Sequence, residues 1–200
     1  NQSLYKRFNI PKGQISCMTY DPTGNLWIGD IFGHLSIVNA ESKNAIILQG
    51  EACHRKGVTS IVSIGPYVLS SGLDEVILVF NTNGKLIGQP IAVSYSIHDM
   101  ITDPEHTNCV YVATPNGVKR VDFQKIKIWG INQIEINQLF YFDKLYTFDN
   151  DGILKTIDNS VSIILTFRQI YDVTYDPSCE MTAVASSTNT NIINVITNDF

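Results

Sequence analysis

Two hundred residues with an apolar fraction of 44% are enough for a domain with a real core. The 19 acidic and 14 basic side chains give a net charge of −5, which argues against a nucleic-acid surface. No apolar run approaches the length of a transmembrane helix, and no secretory signal is visible.

Residues 1–13 lead in, with Tyr5 and Phe8 as apolar anchors, and could supply an outer strand to the last unit. The first unit, 14–50, predicts strands at Ile15 to Tyr20, Leu26 to Gly29, Leu35 to Asn39 and Ala45 to Leu48. The second, 51–92, predicts Val58 to Ile64, Tyr67 to Ser71, Val76 to Phe80 and an outer strand from Lys85 to Ala92. The third, 95–130, predicts Ile97 to Thr102, Cys109 to Ala113, Val118 to Phe123 and Ile126 to Trp129. The fourth, 131–167, has turns at Asp143-Lys144 and Asn150-Asp151-Gly152. The fifth, 168–200, predicts three strands and then stops.

One turn position serves as a ruler. It falls at Asp21-Pro22, Gly65-Pro66, Asp103-Pro104, Asp143-Lys144 and Asp176-Pro177, at intervals of roughly 33 to 44 residues. Thr-Tyr-Asp-Pro occurs at 19–22 and again at 174–177. Short strands, turns in phase and no sustained helical period favour an all-β repeat architecture over a sandwich.

The stretch from Cys53 to Asn81 resembles one WD40 repeat, the four-stranded blade of a β-propeller. Cys53-His54 stands where that family has Gly-His. Leu69-Ser70-Ser71-Gly72-Leu73-Asp74 matches its strand, turn and Asp, and Phe80-Asn81 stands for its Trp-Asp. The resemblance implies a structural motif of His54, Ser70, Asp74 and Phe80. In the family these positions form a buried hydrogen-bonded chain. Phe80 has no indole donor, so the chain is expected to stop at Ser70. The expected fold is thus an all-β propeller of WD40-like blades, about five of them visible. WD40 rings usually have seven blades, and an open arc leaves bare strand edges, so the 200 residues read as part of a larger ring.

The resemblance also implies a non-catalytic scaffold for protein partners inside a larger intracellular assembly. No cofactor or metal is expected, and neither membrane binding nor direct nucleic-acid contact. Phe32 and Leu73 sit on inter-strand turns, where a core residue is not required, and Arg55 and Lys56 follow His54. These four are the candidate partner-binding face.

Two other readings come from the first unit. Asp21-Pro22-Thr23-Gly24-Asn25 is similar to the Asn-Asp-Pro-Asn-Gly motif of five-bladed invertase-type glycosidases, which need a second carboxyl such as Asp103 or Glu180. Against it, Tyr20 stands in place of the Asn, Thr102 in place of the Arg that precedes the second Asp, and Asp-Pro recurs as a turn would. Gly24-Asn25-Leu26-Trp27-Ile28-Gly29-Asp30 resembles the blades of extracytoplasmic sensor propellers, but occurs once. His34, His54, His98 and His106 lack metal spacing. Cys17, Cys53, Cys109 and Cys179 show no paired spacing and read as free thiols. Lys119-Arg120 and Lys125-x-Lys127 read as solvated strand residues.

Overall fold

The structure, a computed structural model, describes residues 13–39, 44–131, 136–141, 145–148 and 156 with their side chains. It describes 153–155, 162–164, 170–176, 181–186 and 193–197 by backbone alone. The strands form five antiparallel sheets, each built from strands consecutive in the chain. Sheet one is β1 (Ile15–Tyr20), β2 (Asn25–Asp30), β3 (Leu35–Asn39) and β4 (Ala45–Ile47). Sheet two is β5 (Val58–Ile64), β6 (Tyr67–Gly72), β7 (Val76–Asn81) and β8 (Ile91–Ala92). Sheet three is β9 (Asp99–Thr102), β10 (Cys109–Thr114), β11 (Gly117–Asp122) and β12 (Lys127–Gly130). Sheet four holds β13 (Gln138–Tyr141), β14 (Leu145–Phe148), β15 (Ile153–Thr156) and β16 (Ser162–Ile164). Sheet five holds β17 (Ile170–Asp176), β18 (Met181–Ser186) and β19 (Ile193–Thr197).

The middle strands are buried on both faces, and alternation sorts their side chains between two cores. In β7, Leu78 and Phe80 join Trp27, Leu35, Ile37, Val58 and Val68 between sheets one and two. Ile77 and Val79 point the other way, to Leu69, Met100, Val110, Val112 and Val121 between sheets two and three. Ala113, Val118, Ile136, Leu139 and Leu145 form the next core, between sheets three and four. Trp27 packs on Phe80 at 5.4 Å between ring centroids, an arrangement that adds to simple burial.

The first strands lie side by side: β1 contacts β5, β5 contacts β9, and β9 contacts β13. One polar bond stitches each step. Ser16 Oγ donates to the Val58 carbonyl (2.6 Å), Ser60 Oγ to the Met100 carbonyl (3.0 Å), and the Leu139 amide to Asp99 Oδ2 (3.0 Å). The pairing of the first strand also shifts in phase, at Ile15/Cys17, Val58/Ser60 and Ile170/Asp172. Among the described residues the sheets do not close into a ring. On β1, Met18 and Tyr20 are exposed.

One expected strand is corrected. The outer strand of the second unit is Ile91–Ala92, not Lys85 to Ala92; upstream only Leu86 bridges to Phe80. Gly88 takes φ +71°, and Pro90 has no amide to donate, so the ladder breaks between them. Tyr5, Phe8, Asp143-Lys144, Asn150-Asp151-Gly152, Pro177, Cys179 and Glu180 lie outside the described residues.

Candidate functional site

A single device builds many of the hairpin turns. An Asp or Asn closes a strand, and its side chain accepts backbone amides from the turn that follows. Asp21 Oδ1 accepts from the amides of Thr23 and Asn25, at 2.9 and 3.0 Å. Asp30 Oδ1 accepts from Phe32 and His34, both at 2.9 Å. Asn81 Oδ1 accepts from Asn83 and Lys85, at 3.1 and 2.9 Å. In each, the fourth residue is a glycine at positive φ: Gly24, Gly33 and Gly84. Side chains at the tips of such turns are held outward by backbone geometry.

The second sheet adds a longer tie. His54 is buried; its Nδ1 lies 2.8 Å from Asp74 Oδ1 and its Nε2 lies 2.8 Å from Ser70 Oγ. An ionised carboxylate only accepts, so Nδ1 carries a proton and donates to it, and in the neutral ring the Ser70 hydroxyl donates to Nε2. Asp74 Oδ2 accepts from the Arg55 amide at 2.8 Å. Burial alone would push the Asp74 carboxyl up, but the bonds from His54 and Arg55 outweigh it and hold it below the ordinary value. Gly72 leaves the room: a Cβ there would lie 2.7 Å from both Asp74 Oδ1 and His54 Nδ1. Phe80 takes no part in the polar chain; it is buried against Trp27.

This tie brings three turns onto one edge. The His54 amide donates to the Gly33 carbonyl at 3.0 Å, and the Leu73 amide to the Gly57 carbonyl at 3.0 Å. A Cβ at Gly33 would press into the His54 carbonyl, and one at Gly57 would lie 2.8 Å from the Ile31 carbonyl. Phe32, Arg55, Lys56 and Leu73 are therefore carried on adjoining backbone. Phe32 is 61% exposed and Leu73 41%, with Arg55 and Lys56 exposed between them. The carboxylates of Asp30 and Asp74 turn inward, each only 7% exposed.

The match to solved structures fits this geometry. The chain superposes on the β-propeller domain of Cps50 (Swd1) from Myceliophteria thermophila with a TM-score of 0.72 at 16% identity. The alignment covers 88% of this chain and 63% of that one. The fold is a WD40-like β-propeller. No family profile and no curated protein sequence matches the chain. It spans less than two thirds of the length of the propeller it resembles.

In propeller terms β1, β5, β9 and β13 are the inner strands, and Phe32 and Leu73 sit on turns between the second and third strands of neighbouring blades. Asp21 and Asp103, the carboxyls of the glycosidase-like reading, each serve their own blade. Asp21 Oδ2 accepts from the buried indole of Trp27 at 2.9 Å, besides its four bonds from Thr23 and Asn25. Those bonds outweigh burial and hold its carboxyl low. Asp103 Oδ2 accepts from Arg120 Nε at 2.7 Å, with Nη2 also 2.7 Å away but poorly aimed.

Two basic residues are not the solvated pair expected. Arg120 is half-buried against Asp103, and Lys119 Nζ donates to the Val93 carbonyl at 2.8 Å beneath the Tyr95 ring. Both sit on a strand of a twisted blade where the neighbouring loop covers them. The Trp27–Asp21 bond was also not foreseen; a Trp six residues after an Asp-Pro turn, at an inward position of the next strand, is its sequence signal. Among the described residues no set of His, Cys, Asp and Glu could hold a metal ion, no helix is long and apolar enough to cross a membrane, and Cys17, Cys53 and Cys109 are free thiols. Burial pushes the Cys17 thiol up to about 11.

Proposed function

We propose that the chain is a non-catalytic scaffold that binds protein partners through the turn edge of its first two blades. The observation that carries this is the convergence of Phe32, Arg55, Lys56 and Leu73 on adjoining, backbone-pinned turns. Two exposed apolar tips flanking two cations form an anchor-type surface, and pinned turns lose little freedom when a partner docks. The fold likeness to a propeller domain supports the scaffold reading, since turns displayed on rigid sheets are that architecture's means of contact. Asp21 and Asp103, both held by their own turns, are poor candidates for a shared catalytic pair. Free thiols support a reducing, intracellular address. The partners are proteins of a larger assembly, not a membrane or a nucleic acid.

The test is affinity purification from the source organism with quantitative mass spectrometry, comparing the wild type with Phe32→Asp/Leu73→Asp. Specific protein partners that drop at least roughly tenfold in the variant, at an unchanged thermal midpoint, are expected. Full retention of every partner by a folded double variant rules this edge out.

A further inference from the structure

The opposite end of the same strands carries a second feature. Between blades two and three lies an open cleft of about 290 Å³. Its floor is Tyr67, Val79 and Phe123, with the two rings packed edge to face at 5.4 Å. Ile87 and Ile126 form its walls, 39% and 61% exposed, and Gln89 and Gln124 complete the lining. Beside the cleft the outer strand of blade two is interrupted: the Ile87 amide still donates to the Val79 carbonyl at 2.7 Å, but Gly88 and Pro90 break the pairing before it resumes at Ile91.

Ile126 is the unusual wall. It has φ +54°, a conformation that β-branched residues rarely adopt and that Gly24, Gly33 and Gly84 supply in other turns of this chain. An isoleucine there strains the backbone, yet most of its side chain faces solvent, so core packing does not explain it. What the strain achieves is a fixed apolar wall beside an aromatic floor.

Volume and charge select the occupant. Engineered cavities of about 150 Å³ hold a benzene, and pockets for drug-sized ligands run from about 300 to 1,000 Å³. This open cleft suits one large side chain better than a metabolite. None of its lining residues is an Asp, Glu, Lys, Arg or His. The flanking turn exposes Lys125 and Lys127; its acid, Asp122, is turned inward onto Asn108 and the amides of Gln124 and Lys125, and Lys125 Nζ lies 3.8 Å from Asp122 Oδ2 while 68% of its side chain stays exposed. On a chain of net charge −5, this is a local cationic flank around an uncharged apolar slot.

We propose that the cleft seats one large apolar side chain of an acidic partner segment, with Lys125 and Lys127 facing its carboxylates. The site is separate from the Phe32–Leu73 edge and does not depend on it. The probe is the fluorescein-labelled peptide Asp-Glu-Phe-Glu-Asp, titrated with the whole chain and followed by fluorescence anisotropy.

Saturable binding that weakens as salt rises is expected. Replacing the central Phe by Ala should weaken it at least roughly tenfold, the scale of one buried anchor. Ile126→Gly should weaken it by a similar factor while the thermal midpoint holds or rises, since glycine relieves the turn. Lys125→Gln/Lys127→Gln should weaken it severalfold and flatten its salt dependence. No saturable binding overturns the proposal. So does equal binding of the Ala analogue, which is charge alone, or of an Asn/Gln analogue, which is apolar contact alone. Self-association abolished by Ile126→Gly, seen by sedimentation, would overturn it in favour of a second copy of this chain.

Discussion

Blades one and two are tied in opposite ways. In blade one the buried polar bond is local: Asp21 reaches Trp27, six residues away, at the end of the sheet away from the Phe32–Leu73 edge. In blade two it is long-range: His54 reaches Ser70 and Asp74, 16 and 20 residues away, at that edge. The local tie secures one hairpin. The long tie fastens the loop entering a blade to the turn two strands later, and through Gly33 it also registers blade two on blade one. A repeat can thus lose the family's tryptophan donor in one copy and place an indole on a different acceptor in another, provided each buried polar atom finds a partner.

The largest effect should come from the residue where the two blades meet. Trp27→Ala removes a fully buried indole from the shared core and frees Asp21, and should cost about 3–5 kcal/mol. Urea unfolding at constant m-value measures it. Next, Asp74→Ala leaves His54 buried with one partner and should cost about 2–3 kcal/mol. A His54/Asp74 double-mutant cycle should show coupling above about 1 kcal/mol. If the cycle is additive, the long tie does not fasten blade two. Gly72→Ala drives a methyl between the same two side chains and should cost about 1–3 kcal/mol.

Acid should separate the blades in a different order. The carboxyls of Asp21 and Asp30 in blade one, Asp74 in blade two and Asp122 in blade three are all held below their ordinary value of 3.8. In each, burial pushes up and hydrogen bonds more than reverse it. A carboxyl lowered by folding contributes stability above its unfolded pKa and loses it as pH falls through the folded one. Stability should therefore hold down to about pH 4 and decline below it. Hydrogen exchange should show blade one, with two such groups, losing protection first. The smallest effect is at Glu75, a non-glycine at φ +70°. Glu75→Gly should stabilise by up to about 1 kcal/mol, read as a small rise in thermal midpoint.

The fold was legible because its signals are local and repeated. Asp21-Pro22 and Asp103-Pro104 mark turns in phase, and alternation carries each strand between them. The blade-two motif could be read off Cys53 to Asn81 because the positions of His54, Ser70 and Asp74 match a known pattern. The outer strand from Lys85 was misread because apolar residues at 86, 87 and 91 suggest a strand, while the break rests on Gly88 and Pro90. Lys119 and Arg120 were misread because their burial comes from the connection between sheets two and three, at Val93, and from the turn at Asp103, which no local window contains. The cleft at Ile126 left no trace in sequence, since nothing about an isoleucine announces a left-handed backbone.

Because β7 is apolar on both faces, hydrophobicity alone does not fix how it is threaded. In a half-exposed strand a slip of one residue would drive polar groups inward. Here it would only exchange Ile77 and Val79 with Leu78 and Phe80. What forbids the slip is the polar punctuation at the strand's two ends: Asp74, held by His54 before it, and Asn81, capping its turn after it. Mutations at these positions should therefore corrupt alignment as well as stability, and a melting curve would show the lost stability but not the mispairing.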